Sequence, residues 1–125
     1  MEFTPSTKIY VKESPGKGLG VFAKKRIHKD EIIERCPVYV MSKEEDPFME
    51  DYRFLYPRIR GREWAIAWGY GSLYNHSKNP NCDWRDCEGG FEFFAKRDIE
   101  LGEEICIYYG GNEYWRLRKH ITLIE

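Results

Sequence analysis

The chain has 125 residues, enough for one domain that buries a core without disulfide or metal staples. Its 20 lysines and arginines face 21 aspartates and glutamates, a formal net charge of -1, so no global field draws it to nucleic acid or to a membrane. No long apolar run and no apolar signal segment follows Met1, which points to a soluble intracellular protein of the cytoplasm or nucleus.

Strand-like segments dominate the chain. "KIYVKES" (8–14), "GVFAKKRI" (20–27) and "EIIERCPVYVM" (31–41) come first, then "WAIAWG" (64–69), "GFEFFAKRDI" (90–99) and "EEICIYYG" (103–110). They are short, rich in Val, Ile, Phe and Tyr, and bounded by Gly, Pro, Asp or Asn. The pattern reads as a mainly β domain of several small antiparallel sheets. Pro37 cannot donate to a ladder, so it is expected at an edge or a bulge. Two short helices are expected. The first, over 42–54, has Ser42 as cap, an acidic first turn and Pro47 as its limit. The second, over 112–121, runs from an Asn112 cap to Arg116, Arg118, Lys119 and His120 near its C-terminal end. No repeat or linker divides residues 1–125, which read as a single domain.

The four cysteines, Cys36, Cys82, Cys87 and Cys106, have neither CxxC nor zinc-finger spacing, so reduced, mostly buried thiols are expected and no metal site. An acidic run over 43–51 precedes Arg53, Arg58, Arg60 and Arg62. Both runs read as solvated surface, or the acidic one as a groove that steers a basic peptide.

Three stretches carry candidate chemistry. In "SPGKGLGVFA" (14–23), Gly16, Gly18 and Gly20 alternate before an apolar strand. Such a turn lets backbone approach a ligand, or is only a turn. A strand follows it, so it is not a dinucleotide-binding fingerprint. "YNHSKNPNC" (74–82) offers amide donors and acceptors on a run stiffened by Pro80, either a polar-ligand clamp or an Asx turn with a structural histidine. In "RDIELGEEICIYYGG" (97–111), strand alternation puts Ile105, Ile107 and Tyr109 on one face and Cys106 and Tyr108 on the other. Tyr109 then either presents its hydroxyl to a pocket or is an ordinary β former.

In this order, "GKGLGVFA", "YNHSKNPNC" and "GEEICIYYGG" strongly resemble the SET domain family of protein lysine methyltransferases. The resemblance runs from about Lys8 to Trp115 and includes "KKRIHKDEII" and "AKRDIELGEEI". It implies several small antiparallel sheets around a knot-like core, with one or two short helices, and S-adenosyl-L-methionine as cofactor. By the resemblance, Lys17, Gly18, Leu19 and Gly20 lie along the cofactor, Asn75 and His76 hold it, and Trp115 either covers the adenine and the lysine channel or packs into the core. Tyr109 matches the catalytic tyrosine, with an orienting role, since a phenol near pKa 10 is a poor base at neutral pH. Tyr52, Phe54 and Tyr56 wall the lysine channel or pack in the core.

Three departures from the family pattern stand out. Lys78 replaces the cysteine that in many members joins a zinc-binding tail, so no zinc is expected. Ile107 replaces the usual channel aromatic and has no hydroxyl to hold a competing water, which implies products beyond monomethyl-lysine. Tyr108 replaces the usual acidic residue. The insert between the first two motifs is short, so a homodimer is one way to complete the substrate groove. The expected partner is a lysine-bearing protein tail, histone among the candidates, with no direct nucleic acid contact and no membrane. A catalytically silent SET-like module that binds a protein tail is the alternative, and retention of both Tyr109 and Asn75 speaks against it. A small β-barrel that binds nucleic acid through the arginine run fits composition alone.

Overall fold

A computed structural model describes residues 3–41, 53–58 and 63–109. Its strands are β1 (Ile9–Ser14), β2 (Gly18–Ala23), β3 (Ile32–Met41), β4 (Arg53–Tyr56), β5 (Glu63–Ala67), β6 (Asn75–His76), β7 (Cys82–Cys87), β8 (Gly90–Ala95) and β9 (Glu104–Ile107). They form two sheets, ordered β1-β2-β9-β6 and β4-β5-β3-β8-β7. Every pairing is antiparallel except that of β6 with β9, which aligns Asn75 with Cys106 and His76 with Ile107 in parallel. This pairing brings the second and third chemical motifs side by side.

The β1–β2 hairpin runs in register from Ile9↔Ala23 to Ser14↔Gly18, closed by Lys17 N–H donating to the Ser14 carbonyl at 2.9 Å. Gly16 (φ +77°) and Gly18 (φ +79°) take left-handed backbone that other residues enter only with strain, which explains two of the alternating glycines. β2 and β8 stop earlier than their apolar runs suggest. Beyond them Ile27 and Ile99 leave the sheets and exchange backbone hydrogen bonds of 2.8 and 2.7 Å, both side chains fully buried.

Pro37 occupies neither an edge nor a bulge. It lies in the central strand β3, where the chain changes partner: Cys36 and Pro37 pair with Phe91 and Gly90 of β8, and Val38 onward pairs with β5. A missing N–H costs little at a handover between two ladders. Gly90 permits the crossing, since a Cβ there would stand 2.0 Å from the Cys36 carbonyl oxygen. The irregularity of β3 is elsewhere, between Ile32 and Glu34.

The expected helix over 42–54 is corrected at its end, because Arg53 and Phe54 belong to β4; its remaining residues and the expected helix over 112–121 lie outside the described residues. The helical segment among the described residues is a single 3-10 turn, Gly71–Leu73. The core joins both sheets through Val21, Ile33, Tyr74, Phe91, Phe93, Ile105 and Ile107 among others. The four cysteines are free thiols, three of them buried.

Candidate active site

The short strand β6 is the centre of the site. It is too short and polar to read as a strand in sequence, and it is held by what surrounds it. Just before it, Tyr74 turns its side chain inward, 1% exposed and stacked on Phe93 at 4.7 Å. Its main-chain carbonyl remains beside the site and accepts the Tyr109 hydroxyl at 2.5 Å. His76 is buried, and its Nδ1 accepts the Tyr109 backbone N–H at 2.9 Å. The proton of a neutral His76 is therefore not on Nδ1. Tyr109 is thus gripped twice by the residues around β6, once at its backbone and once at its hydroxyl.

Asn75 joins this pair to the glycine turn. Its Nδ2 donates to the Leu19 carbonyl at 3.1 Å and to Glu104 Oε2 at 2.8 Å. The other oxygen of Glu104 accepts the hydroxyl of buried Ser14 at 2.8 Å. Gly20 makes room for this cluster: a Cβ there would lie 2.5 Å from Glu104 Oε2 and 2.9 Å from Asn75 Nδ2. Leu19 presents its side chain outward, 56% exposed, and no atom stands within 4 Å of where a Cβ of Gly18 would be. The turn is therefore open on one side and tied to β6 and β9 on the other.

Beneath the site lies Glu34, a carboxylate 6% exposed. It accepts the Tyr70 N–H and the Tyr74 hydroxyl, each at 2.9 Å, and so spans the 3-10 turn that leads into β6. Burial pushes its pKa up, against the pull of those two bonds. Burial likewise raises the Tyr74 phenol far above its ordinary range, with the nearby Glu34 charge adding to it, so Tyr74 stays a neutral donor.

The structure brings Leu19, Gly20, Asn75, His76 and Tyr109 together, with Ile107 opposite His76 in the ladder and 2% exposed. Strand alternation at 105–107 does not separate an inner and an outer face, because Cys106 is buried as well; Tyr108 is the exposed residue. Lys17 sits in the hairpin turn, where its backbone N–H donates to the Ser14 carbonyl. Phe54 and Tyr56 pack in an aromatic core cluster. Phe54 meets Trp84 and Phe91 at 5.4 and 5.3 Å, and Tyr56 meets Phe91 at 5.4 Å. Tyr52 and Trp115 lie outside the described residues.

Sequence reasoning passed over Ser14, Glu34, Tyr74, Asn81 and Glu104. Asn81 is buried and acts as a strand neighbour for β9, its Oδ1 accepting the Cys106 N–H and its Nδ2 donating to the Glu104 carbonyl, both at 2.8 Å. A signal existed for Glu34, a charge inside the apolar run "EIIERC". The arginine run also has a structural use. Arg53 lies 4.0 Å over the Trp64 ring and Arg58 3.9 Å over Trp84, with Arg58 paired to Asp83 at 2.7 Å. Both are engaged within the fold. Among the described residues no three His, Cys, Asp or Glu side chains group to hold a metal ion, and no helix is long and apolar enough to cross a membrane.

The SET domain family profile matches residues 18–110. The Schizosaccharomyces pombe histone-lysine N-methyltransferase, H3 lysine-37 specific, is 35% identical over 110 residues, covering 83% of this chain and 74% of that protein. A Caenorhabditis briggsae protein described as a histone-lysine N-methyltransferase is 30% identical over 132 residues, covering 82% of this chain and 51% of that protein. The chain spans about half the length of that relative. A Plasmodium falciparum crystal structure described as a histone methyltransferase superposes with a TM-score of 0.70 at 34% identity, over 86% of this chain and 96% of that one. With the profile covering most of the residues that build the two sheets and the β6–β9 site, the chain belongs to the SET domain family of protein lysine methyltransferases.

Proposed function

We propose that this chain transfers methyl groups from S-adenosyl-L-methionine to a lysine of a histone tail, with Tyr109 as the catalytic residue and Asn75, His76 and the turn Lys17–Gly20 as the cofactor site. The observation that carries the reading is the double hold on Tyr109 from the Tyr74 carbonyl and the His76 ring, directly beside Asn75. Two oxygens meet there, the Tyr74 carbonyl and the Tyr109 hydroxyl, and the Asn75 amide stands on the adjacent residue. An acceptor-rich, uncharged set of this kind fits a sulfonium ligand that also carries amine and hydroxyl donors. The histone substrate rests on the relatives' descriptions, and a nuclear location goes with that substrate as part of the same reading.

Bound at this site, S-adenosyl-L-methionine supplies an activated methyl group. The chain's own residues prepare the acceptor. A lysine amine has an ordinary pKa near 10.4 and must lose its proton to react, and a channel that excludes water favours that loss. The hydroxyl proton of Tyr109 is committed to the Tyr74 carbonyl, so toward an incoming amine its oxygen can act only as an acceptor of N–H. Tyr109 orients the nitrogen for in-line approach and takes no proton from it. At 107, isoleucine provides no hydroxyl to retain water as the amine gains methyl groups, so di- and trimethyl-lysine are expected among the products.

The test incubates the protein with isotope-labelled S-adenosyl-L-methionine and histone H3 or a whole-cell lysate, and maps labelled lysines by mass spectrometry. Label on histone lysines supports the assignment; label on other basic proteins alone redirects the substrate; no label, with the cofactor bound, favours a silent module. Whether two copies complete the groove is read from the mass in solution with and without peptide.

A further inference from the structure

An asparagine amide is nearly symmetrical in shape, and only its hydrogen bonds decide which end points where. Both partners of the Asn75 Nδ2, the Glu104 carboxylate and the Leu19 carbonyl, can accept and cannot donate. A reversed amide would set Oδ1 against two oxygens at about the same separations, and each contact would be repulsive. We propose that Glu104 is a positioning residue that fixes the Asn75 amide with its oxygen outward, so that the site presents an acceptor and selects a donor on its ligand. The proposal rests on the cofactor reading above.

The arrangement around Glu104 supports this assignment. Its two oxygens are divided: Oε1 is occupied by Ser14, which is 3% exposed, and Oε2 by Asn75. The Ser14 bond prevents the carboxylate from turning away, and Gly20 leaves the gap through which it reaches the amide. Both hydrogens of the Asn75 amide are consumed, while no donor among the described residues reaches its Oδ1. A half-buried acceptor left open in an otherwise saturated cluster is a recognition group for an amine or a hydroxyl. A bond from carboxylate to amide is charge-assisted, so Glu104 is the stronger of the two restraints.

Two substitutions separate orientation from charge and from bulk. In Glu104→Gln the new amide can turn its oxygen to Asn75 and its nitrogen to Ser14, whose hydroxyl then accepts, so the Asn75 orientation survives without the charge. Glu104→Leu keeps size and removes every acceptor. Titration calorimetry with S-adenosylhomocysteine should find Glu104→Gln within about threefold of wild type and Glu104→Leu weaker by about tenfold or more. In steady state, Glu104→Leu should raise the KM for S-adenosyl-L-methionine, with peptide KM and kcat at saturating cofactor within about threefold of wild type. Should Glu104→Leu fail to fold, two measurements still decide: the Glu104→Gln affinity, and NMR of the free wild type. In the latter, both Asn75 side-chain amide protons should exchange with solvent far more slowly than those of exposed Asn79.

Equal affinity of wild type and Glu104→Leu, or equal exchange at Asn75 and Asn79, overturns the positioning role and leaves the cofactor reading standing. A Glu104→Gln variant as weak as Glu104→Leu also overturns it, because charge and not orientation would then be the cause. Wild type that fails to bind S-adenosylhomocysteine at millimolar concentration overturns both.

Discussion

Tyr109 and Tyr74 are joined through different ends: the hydroxyl of Tyr109 donates to the main-chain carbonyl of Tyr74, whose own hydroxyl donates inward to Glu34. Tyr74 therefore serves the site with its backbone and the core with its side chain. The buried ring, stacked on Phe93, fixes the carbonyl, and the carbonyl fixes the hydroxyl that would meet a substrate amine. The position of Tyr109 thus depends on a carboxylate that lies beneath the site.

Tyr109→Phe removes the hydroxyl and keeps the ring, whose neighbour His76 still receives the backbone N–H. Turnover should fall by about a hundredfold, typical of losing one preorganised polar group at a reacting centre. Cofactor affinity should stay within about twofold. Single-turnover rates and calorimetry on the same preparation check both halves, and an unaltered rate would remove Tyr109 from the mechanism.

Glu34 should show its importance in stability, with a pH signature. Glu34→Ala leaves the buried Tyr74 hydroxyl without an acceptor, at about 1–3 kcal/mol, and the part-buried Tyr70 N–H without one at a smaller cost. Glu34→Gln is milder, since its amide can accept from Tyr70 and donate to Tyr74. Because burial raises the Glu34 pKa above its ordinary 4.5, the native state holds this proton more tightly than the unfolded chain. Its stabilising contribution is complete below about 4.5 and is lost as pH rises through the folded value. The advantage of wild type over Glu34→Gln in urea melts should therefore shrink between pH 4.5 and pH 8. A constant or growing gap contradicts this sign.

Much of this fold was legible because apolar runs announce strands. β1, β2, β3, β5, β8 and β9 follow Val, Ile, Phe and Tyr clusters that burial then fills. What stayed hidden depends on tertiary contact. β6 is two polar residues that become a strand because β9 lies alongside, and β7, "CDWRDC", pairs with β8 despite three charges. Tyr109, Asn75 and His76 could be picked out because their motif order is specific. Ser14 and Glu104 could not, since each looks like an ordinary surface residue until its partner arrives from 90 and 29 positions away, and the charge of Glu34 stands out in its apolar run without naming the partner 40 positions on.

Two neighbouring glycines should fail in different ways. Gly20→Ala drives a methyl group to within 3.0 Å of Glu104 Oε2 and Asn75 Nδ2 and must push the bridge apart. Gly18→Ala meets no atom within 4 Å but holds a left-handed φ of +79°, a strain of about 1 kcal/mol. Gly20→Ala should lose most cofactor binding, whereas Gly18→Ala should lower the melting midpoint by a few degrees and retain binding. Equal binding losses would mean that backbone strain, and not the Glu104–Asn75 contact, controls the turn.

A ligand that binds only the folded state adds RT ln(1 + [L]/Kd), about 2.7 kcal/mol at a hundredfold excess over Kd. In a domain of this length each kcal/mol moves the midpoint by roughly 3–6 °C, so S-adenosyl-L-methionine should raise it by roughly 8–16 °C. Asn75→Ala should abolish most of that rise, because the alanine offers no acceptor and leaves a ligand donor unpaired. The variant will also melt lower without ligand, since Glu104 and the Leu19 carbonyl lose their shared donor. The ligand-induced shift is therefore the quantity to compare. No shift in wild type at millimolar cofactor would refute the cofactor site, and equal shifts in wild type and Asn75→Ala would refute the part assigned to Asn75 alone.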